Sequence, residues 1–166
     1  MRNAVLPACA ALLAWGITAC QAQPYPAKPV RLMMPYPAGG STDIVGRLVA
    51  ERLTAALRQG VVVENRPGAS AQIGTEAAAK APADGYTLLM ATSTNAINHA
   101  LNPHLPYDFA QEFQPIALIA SAGQVLVVHP SLPARSVREL IALAKARPGQ
   151  LAYASSGSGT SGHLAM

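Results

Sequence analysis

Two short stretches of this chain carry residue types whose spacing suits an anion. The first is Pro37-Ala38-Gly39-Gly40-Ser41-Thr42-Asp43, and the second is Ser155-Ser156-Gly157-Ser158-Gly159-Thr160-Ser161-Gly162-His163. Glycine has no Cβ, so glycine pairs leave backbone N–H groups bare and reach dihedrals closed to other residues. Where such a turn runs into a helix, the first N–H groups lack an intrahelical partner and sit at the positive end of the macrodipole. A carboxylate is the guest that chemistry favours. Ser41, Ser156, Ser158, Thr160 and Ser161 can add hydroxyl donors, or can cap the helices instead. Asp43 is two-sided: in a first helical turn it favours the dipole, yet it repels a bound anion unless it holds waters or a ligand ammonium group. His163, Ser93 and Thr94 are further candidate contacts beside the same mouths, or plain loop residues.

Catalytic chemistry is harder to assemble. A hydrolase needs a nucleophile, a base and an orienter, and Gly-x-Ser-x-Gly is absent because Gly157-Ser158-Gly159 has the wrong spacing. His99, His104, His129 and His163 show no metal-ligand spacing. The chain therefore reads as a binding protein, not an enzyme, with no cofactor and no metal. One alternative stands beside this: Gly157, Gly159 and Gly162 match G-x-G-x-x-G, so a dinucleotide-binding enzyme fragment using Gly157–Gly162 fits the same loop. The acidic residue that would support it falls past Met166. Gly157 and Gly162 also have Walker-A spacing, but His163 stands where the lysine must be, which argues against a nucleoside triphosphate.

The elements that must position these loops follow from periodicity. Val30–Met34 is a short apolar run that Pro35 and Pro37 stop, hence a buried strand. Ile44, Val45, Leu48, Val49, Leu53 and Leu57 recur at helical spacing, and Gly60 ends that helix. Val61–Glu64 is a second strand, Ser70 caps a helix running to about Lys80, and Tyr86–Met90 is a third strand. Strand–helix alternation with short turns predicts a parallel sheet with right-handed crossovers. The rhythm breaks over Ala91–Gln114, which is polar, rich in proline and helical only near Asn95 to Leu101. Ile116–Ala120, Val125–Val128 and Leu151–Ser155 predict three further strands. Ser136 and Glu139 form a capping-box pattern ahead of another helix, and a last helix begins at Thr160. Both glycine loops thus leave the C-terminal ends of strands, where open α/β sheets bind ligands.

Composition narrows the class. An apolar share of 51% supplies a core, and a formal charge of +4 spread over scattered arginines, without interleaved aromatics, excludes a nucleic-acid surface. Arg2 followed by the apolar Ala4–Ile17 reads as a targeting segment over residues 1–22, too short to span a bilayer. Cleavage before Gln23 would release a soluble periplasmic chain, whereas Ile17-Thr18-Ala19-Cys20 resembles a lipobox that would lipidate Cys20 and tether the protein to a membrane. Cys9 and Cys20 are the only cysteines, so the body has no disulfide framework.

Tyr25-Pro26-Ala27-Lys28-Pro29-Val30-Arg31-Leu32, Pro35 to Asp43, Val63-Glu64-Asn65-Arg66-Pro67-Gly68, Asp84-Gly85-Tyr86-Thr87-Leu88-Leu89 and Tyr153 to Thr160 together resemble the Bug-type receptors, the substrate-binding proteins of tripartite tricarboxylate transporters. The resemblance implies a two-lobed, type II periplasmic-binding-protein fold, α/β with parallel sheets. It implies residues 23–100 as the first part of one lobe and 101–166 as the first part of the other. It also implies a small carboxylate ligand (an amino acid, a di- or tricarboxylate or an aromatic acid) passed to membrane permease subunits. Ligand contacts carried over from it fall on Gly39, Gly40, Ser41, Asp43, Ser156, Gly159 and Thr160, with His163 and Ser93 less firmly matched. Members of that family are longer, so the chain is expected to be a truncated receptor, its second lobe incomplete and its affinity weak.

Overall fold

The computed structural model describes residues 24–166; the expected targeting segment, with Cys9 and the Cys20 lipobox, lies outside the described residues. Strands β1 (Val30–Met34), β2 (Val61–Asn65) and β3 (Thr87–Leu89) form one parallel sheet in the order β2-β1-β3. Val30 stands opposite Val61, Met34 opposite Asn65, and Leu32 opposite Leu88. The central strand has neighbours on both edges, which is why it can be apolar almost throughout: only Arg31 of its five residues is exposed. Helix α1 (Ser41–Leu57) covers Leu32 and Met34 with Ala50 and Val49, closing a core that also takes in Met90, Val61, Val63 and Leu88. Helix α2 (Gln72–Ala79) comes very close to the chain leaving β1, since a Cβ on Gly74 would lie 2.6 Å from the Arg66 carbonyl and 2.8 Å from Pro35 Cα.

The chain leaves β1 for one side, then returns past it to reach β3 on the other. The C-terminal ends of β1 and β3 are therefore the switch point of the sheet, the place where open α/β sheets take ligands. The loop holding Gly39 and Gly40 leaves β1 there, and helix α3 (Ser93–Leu101) begins there just after β3.

Three expectations need correction. Residues 116–120, 125–128 and 151–155 are not strands: among the described residues none of them makes a backbone–backbone hydrogen bond. Their apolar side chains point outward, with Leu118 87% and Val125 84% exposed. An apolar run states a preference for burial but does not supply the neighbouring strand that its N–H and C=O groups require. Second, Ser70 does not cap α2. The cap is Ala71, and Ala69, Ser70 and Ala71 all take positive φ. Third, the polar connection after β3 holds more than one helical turn, because α3 runs for nine residues. The helix expected after Ser136 forms as α4 (Val137–Ala146), with Ser136 Oγ accepting from the Glu139 N–H at 3.2 Å. Glu139 turns its carboxylate to the Arg135 N–H, one residue outside the reciprocal capping position. The last helix, α5, covers Ser161–Leu164.

Candidate ligand-binding site

The first loop is held from within. Asp43 is 2% exposed, and its Oδ2 accepts from the Gly39 N–H and Arg47 Nε, both at 2.9 Å. Its Oδ1 accepts from Asn65 Nδ2 at 2.8 Å, and that same amide donates to the Tyr36 carbonyl at 3.1 Å. Arg47 Nη2 completes the ring by donating to Asn65 Oδ1 at 3.0 Å. Asp43 therefore ties the turn, α1 and the end of β2 into one unit. The Arg47 hydrogen bond, then the Gly39 N–H and then Asn65 hold its carboxyl well below the usual carboxylate range. Three protein donors hold the two oxygens, so this side chain shapes the loop.

What the unit leaves open is the start of α1. Gly40 is its N-cap and supplies no side-chain cap, and the first backbone bond of the helix is Ile44 N–H to Gly40 C=O at 3.0 Å. The N–H groups of Ser41, Thr42 and Asp43 precede that bond, and no side chain caps them. Gly39, Gly40 and Ser41 are exposed. The start of α1 thus presents bare amide donors to solvent, with the acidic side chain folded away beneath them.

The second loop has a different support. Gly157 and Gly159 have φ of 123° and 75°. Thr160, 8% exposed, donates its hydroxyl to the Gly157 carbonyl at 2.7 Å and accepts from the His163 N–H at 3.3 Å as N-cap of α5. Its hydroxyl is thus spent on the turn and the cap. Ser156 is exposed, and His163 is half-buried with Nδ1 unpartnered, its ring centroid 6.4 Å from that of Tyr153. Ser93 is exposed on the first turn of α3.

Helix α3 links the two loops. Thr92 caps it, with Asn95 Oδ1 accepting from the Thr92 N–H at 2.8 Å in a reciprocal capping box. The same oxygen accepts from the Tyr36 hydroxyl at 2.8 Å, which reaches over from the first loop, and Asn95 Nδ2 donates to Thr75 Oγ1 at 2.7 Å. Burial pushes the Tyr36 hydroxyl pKa up, so it stays a donor across the physiological range. One turn further on, Asn98 Nδ2 donates to the Ser70 carbonyl, and Ser70 Oγ donates to the Ser158 carbonyl at 2.8 Å. Asn95 and Asn98 stand at i and i+3, so they share one helix face. The loop after β1 and the loop after residue 155 are accordingly anchored on adjacent turns of a single helix.

Sequence reasoning passed over Tyr36, Asn65, Ser70, Asn95 and Asn98. The signal available was the pair Asn95 and Asn98 at helical spacing behind a threonine cap. Among the described residues no group of three or more His, Cys, Asp or Glu side chains can hold a metal ion, and no helix is long and apolar enough to cross a membrane. A dinucleotide fold needs its glycine fingerprint between a paired strand and a helix of working length. Here the loop follows a segment that is unpaired among the described residues, so that alternative lacks its strand context there.

Residues 45–166 match the family described as the tripartite tricarboxylate transporter family receptor. Protein BugT of Bordetella pertussis is 43% identical over 145 residues, which is 86% of this chain and 44% of that protein. The solved structure of R. palustris Rpa4515 with adipate superposes with a TM-score of 0.74 at 40% identity, covering 84% of this chain and 47% of the other. The periplasmic binding protein BugD gives a TM-score of 0.65 at 32% identity over the same shares. The chain thus spans a little under half the length of these relatives.

Proposed function

This chain belongs to the tripartite tricarboxylate transporter receptor family, and from that premise we propose that it binds a small carboxylate outside the cytoplasm and presents it to membrane permease subunits. It carries out no bond chemistry. The ligand lies between two lobes, residues 23–100 and 101–166. It meets the Gly39–Gly40–Ser41 turn, shaped by Asp43, on one side and Ser156, Gly159 and Thr160 on the other, with Ser93 and His163 at the margins. Residues 1–22 direct the protein to the periplasm, and contact with the membrane itself arises only if Cys20 is lipidated. Adipate in the Rpa4515 structure supports a dicarboxylate as the ligand class.

The observation that carries this reading is the anchoring of both glycine loops on adjacent turns of α3, with uncapped amides at Ser41 and Thr42 beside them. Saturation-transfer NMR on the chain tests it, because that method sees weak ligands in fast exchange. Transfer to adipate and none to the uncharged adipamide is the expected result. Absence of transfer to adipate, citrate, glutamate and terephthalate alike would overturn it.

A further inference from the structure

Most of the second loop's surroundings give it no fixed place. The segment before it is unpaired among the described residues. Yet Gly159 and Thr160 are buried. Groups outside the loop hold it: Gln124 Nε2 donates to Ser161 Oγ at 3.0 Å, the Ser70 hydroxyl donates to the Ser158 carbonyl while the Asn98 amide holds the Ser70 carbonyl, and Asn98 Oδ1 packs against Gly159. The last is a close approach, since a Cβ on Gly159 would come within 2.5 Å of that oxygen, and the φ of 75° independently favours glycine there.

We propose that Asn98 and Ser70 form a clasp that sets the position of the 157–160 loop against the first lobe, making Asn98 a positioning residue for the second half of the ligand site. The segment Ala69-Ser70-Ala71 carries the clasp's hydroxyl. Three consecutive non-glycine residues in the left-handed region are costly unless surrounding contacts determine them. Here the strain turns Ser70 away from capping α2 and aims both its carbonyl and its hydroxyl at partners across the crevice. Asn98 is 6% exposed, so its amide cannot swing to water as an alternative. Asn95, one turn earlier, fixes the first loop through Tyr36, so a shift of α3 moves both walls of the site together. The inference rests on the receptor reading only for what the loop binds, not for how it is held.

Amide hydrogen exchange on the chain separates the two questions. In Asn98→Ala, the Thr160 and His163 amides, which bond to the Gly157 and Thr160 carbonyls, should exchange about threefold to tenfold faster, the range one buried hydrogen bond supports. Amides of β1 and the Gly39 amide should be unchanged. Ser70→Ala removes a single half-buried hydroxyl and should give the same local pattern more weakly, so the test survives even if Asn98→Ala unfolds. Acceleration spread evenly through β1, or none at Thr160 in either variant, would overturn the clasp. Added carboxylates address the receptor reading: protection gained in both loops with adipate supports it, and no protection of the unmodified chain by adipate, citrate, glutamate or terephthalate removes it while leaving the exchange pattern to decide the clasp.

Discussion

The two glycine loops resemble each other in sequence and differ in what holds them. The first sits between a strand paired on both edges and a seventeen-residue helix, and Asp43, Arg47 and Asn65 lock it from beneath. The second follows a segment that is unpaired among the described residues, and Ser70 and Asn98, far away in sequence, hold it. The difference teaches that a glycine loop carries only the capacity for bare amides. Rigidity comes from its flanks when they are complete and from borrowed contacts when they are not.

The contrast in packing should give the largest effect. Met33 is fully buried on the central strand, whereas Leu118 is 87% exposed. Met33→Ala should cost about 2–5 kcal/mol of unfolding free energy, and Leu118→Ala should stay within about 0.5 kcal/mol. Urea titration of each variant measures this, and similar losses at both sites would mean that residues 116–128 share the core.

Acid should come next. The depressed carboxyl of Asp43 is ionised in the folded chain at pH values where the unfolded chain has already taken up a proton. Its stabilisation is thus complete above the ordinary carboxylate range near pH ~4 and fades as pH falls toward the folded value. Asp43→Asn should flatten the acid limb of the stability–pH curve and quicken exchange at the Gly39 amide, leaving Thr160 untouched. Identical acid limbs would show that the first loop is not held by this charge. The smallest effect belongs to the second region: Ser136→Ala, losing a cap on an exposed helix, should cost about 1 kcal/mol locally. Far-ultraviolet circular dichroism should register it as fraying of α4, with the urea midpoint of the sheet unmoved.

How much of this was legible in the residues follows the same division. Val30–Met34 and Val61–Glu64 announce themselves as apolar runs, and the sheet holds both, with β2 reaching Asn65; the α1 stripe marks its helix by period, although Ile44 and Leu48 of that stripe lie exposed. The runs at Ile116, Val125 and Leu151 look equally strand-like, but pairing is a property of two segments and cannot be read from one. Helix α3 was read as little more than a turn for the opposite reason. Its buried positions are Thr94, Asn95 and Asn98, so an apolar stripe never appears, and the face that matters is polar. Asp43 was noticed but not understood, because its three donors come from Gly39, four residues back, Arg47, one turn on, and Asn65, at the end of another strand.

The central claim is that both loops face one carboxylate. An amide chemical-shift map of the chain titrated with adipate tests it most directly. The account predicts concerted, saturable shifts at Gly40, Ser41 and Thr42 and at Gly157 to Thr160, with one shared midpoint and none on adding adipamide. Shifts confined to a single loop, or two loops titrating with separate midpoints, would contradict it.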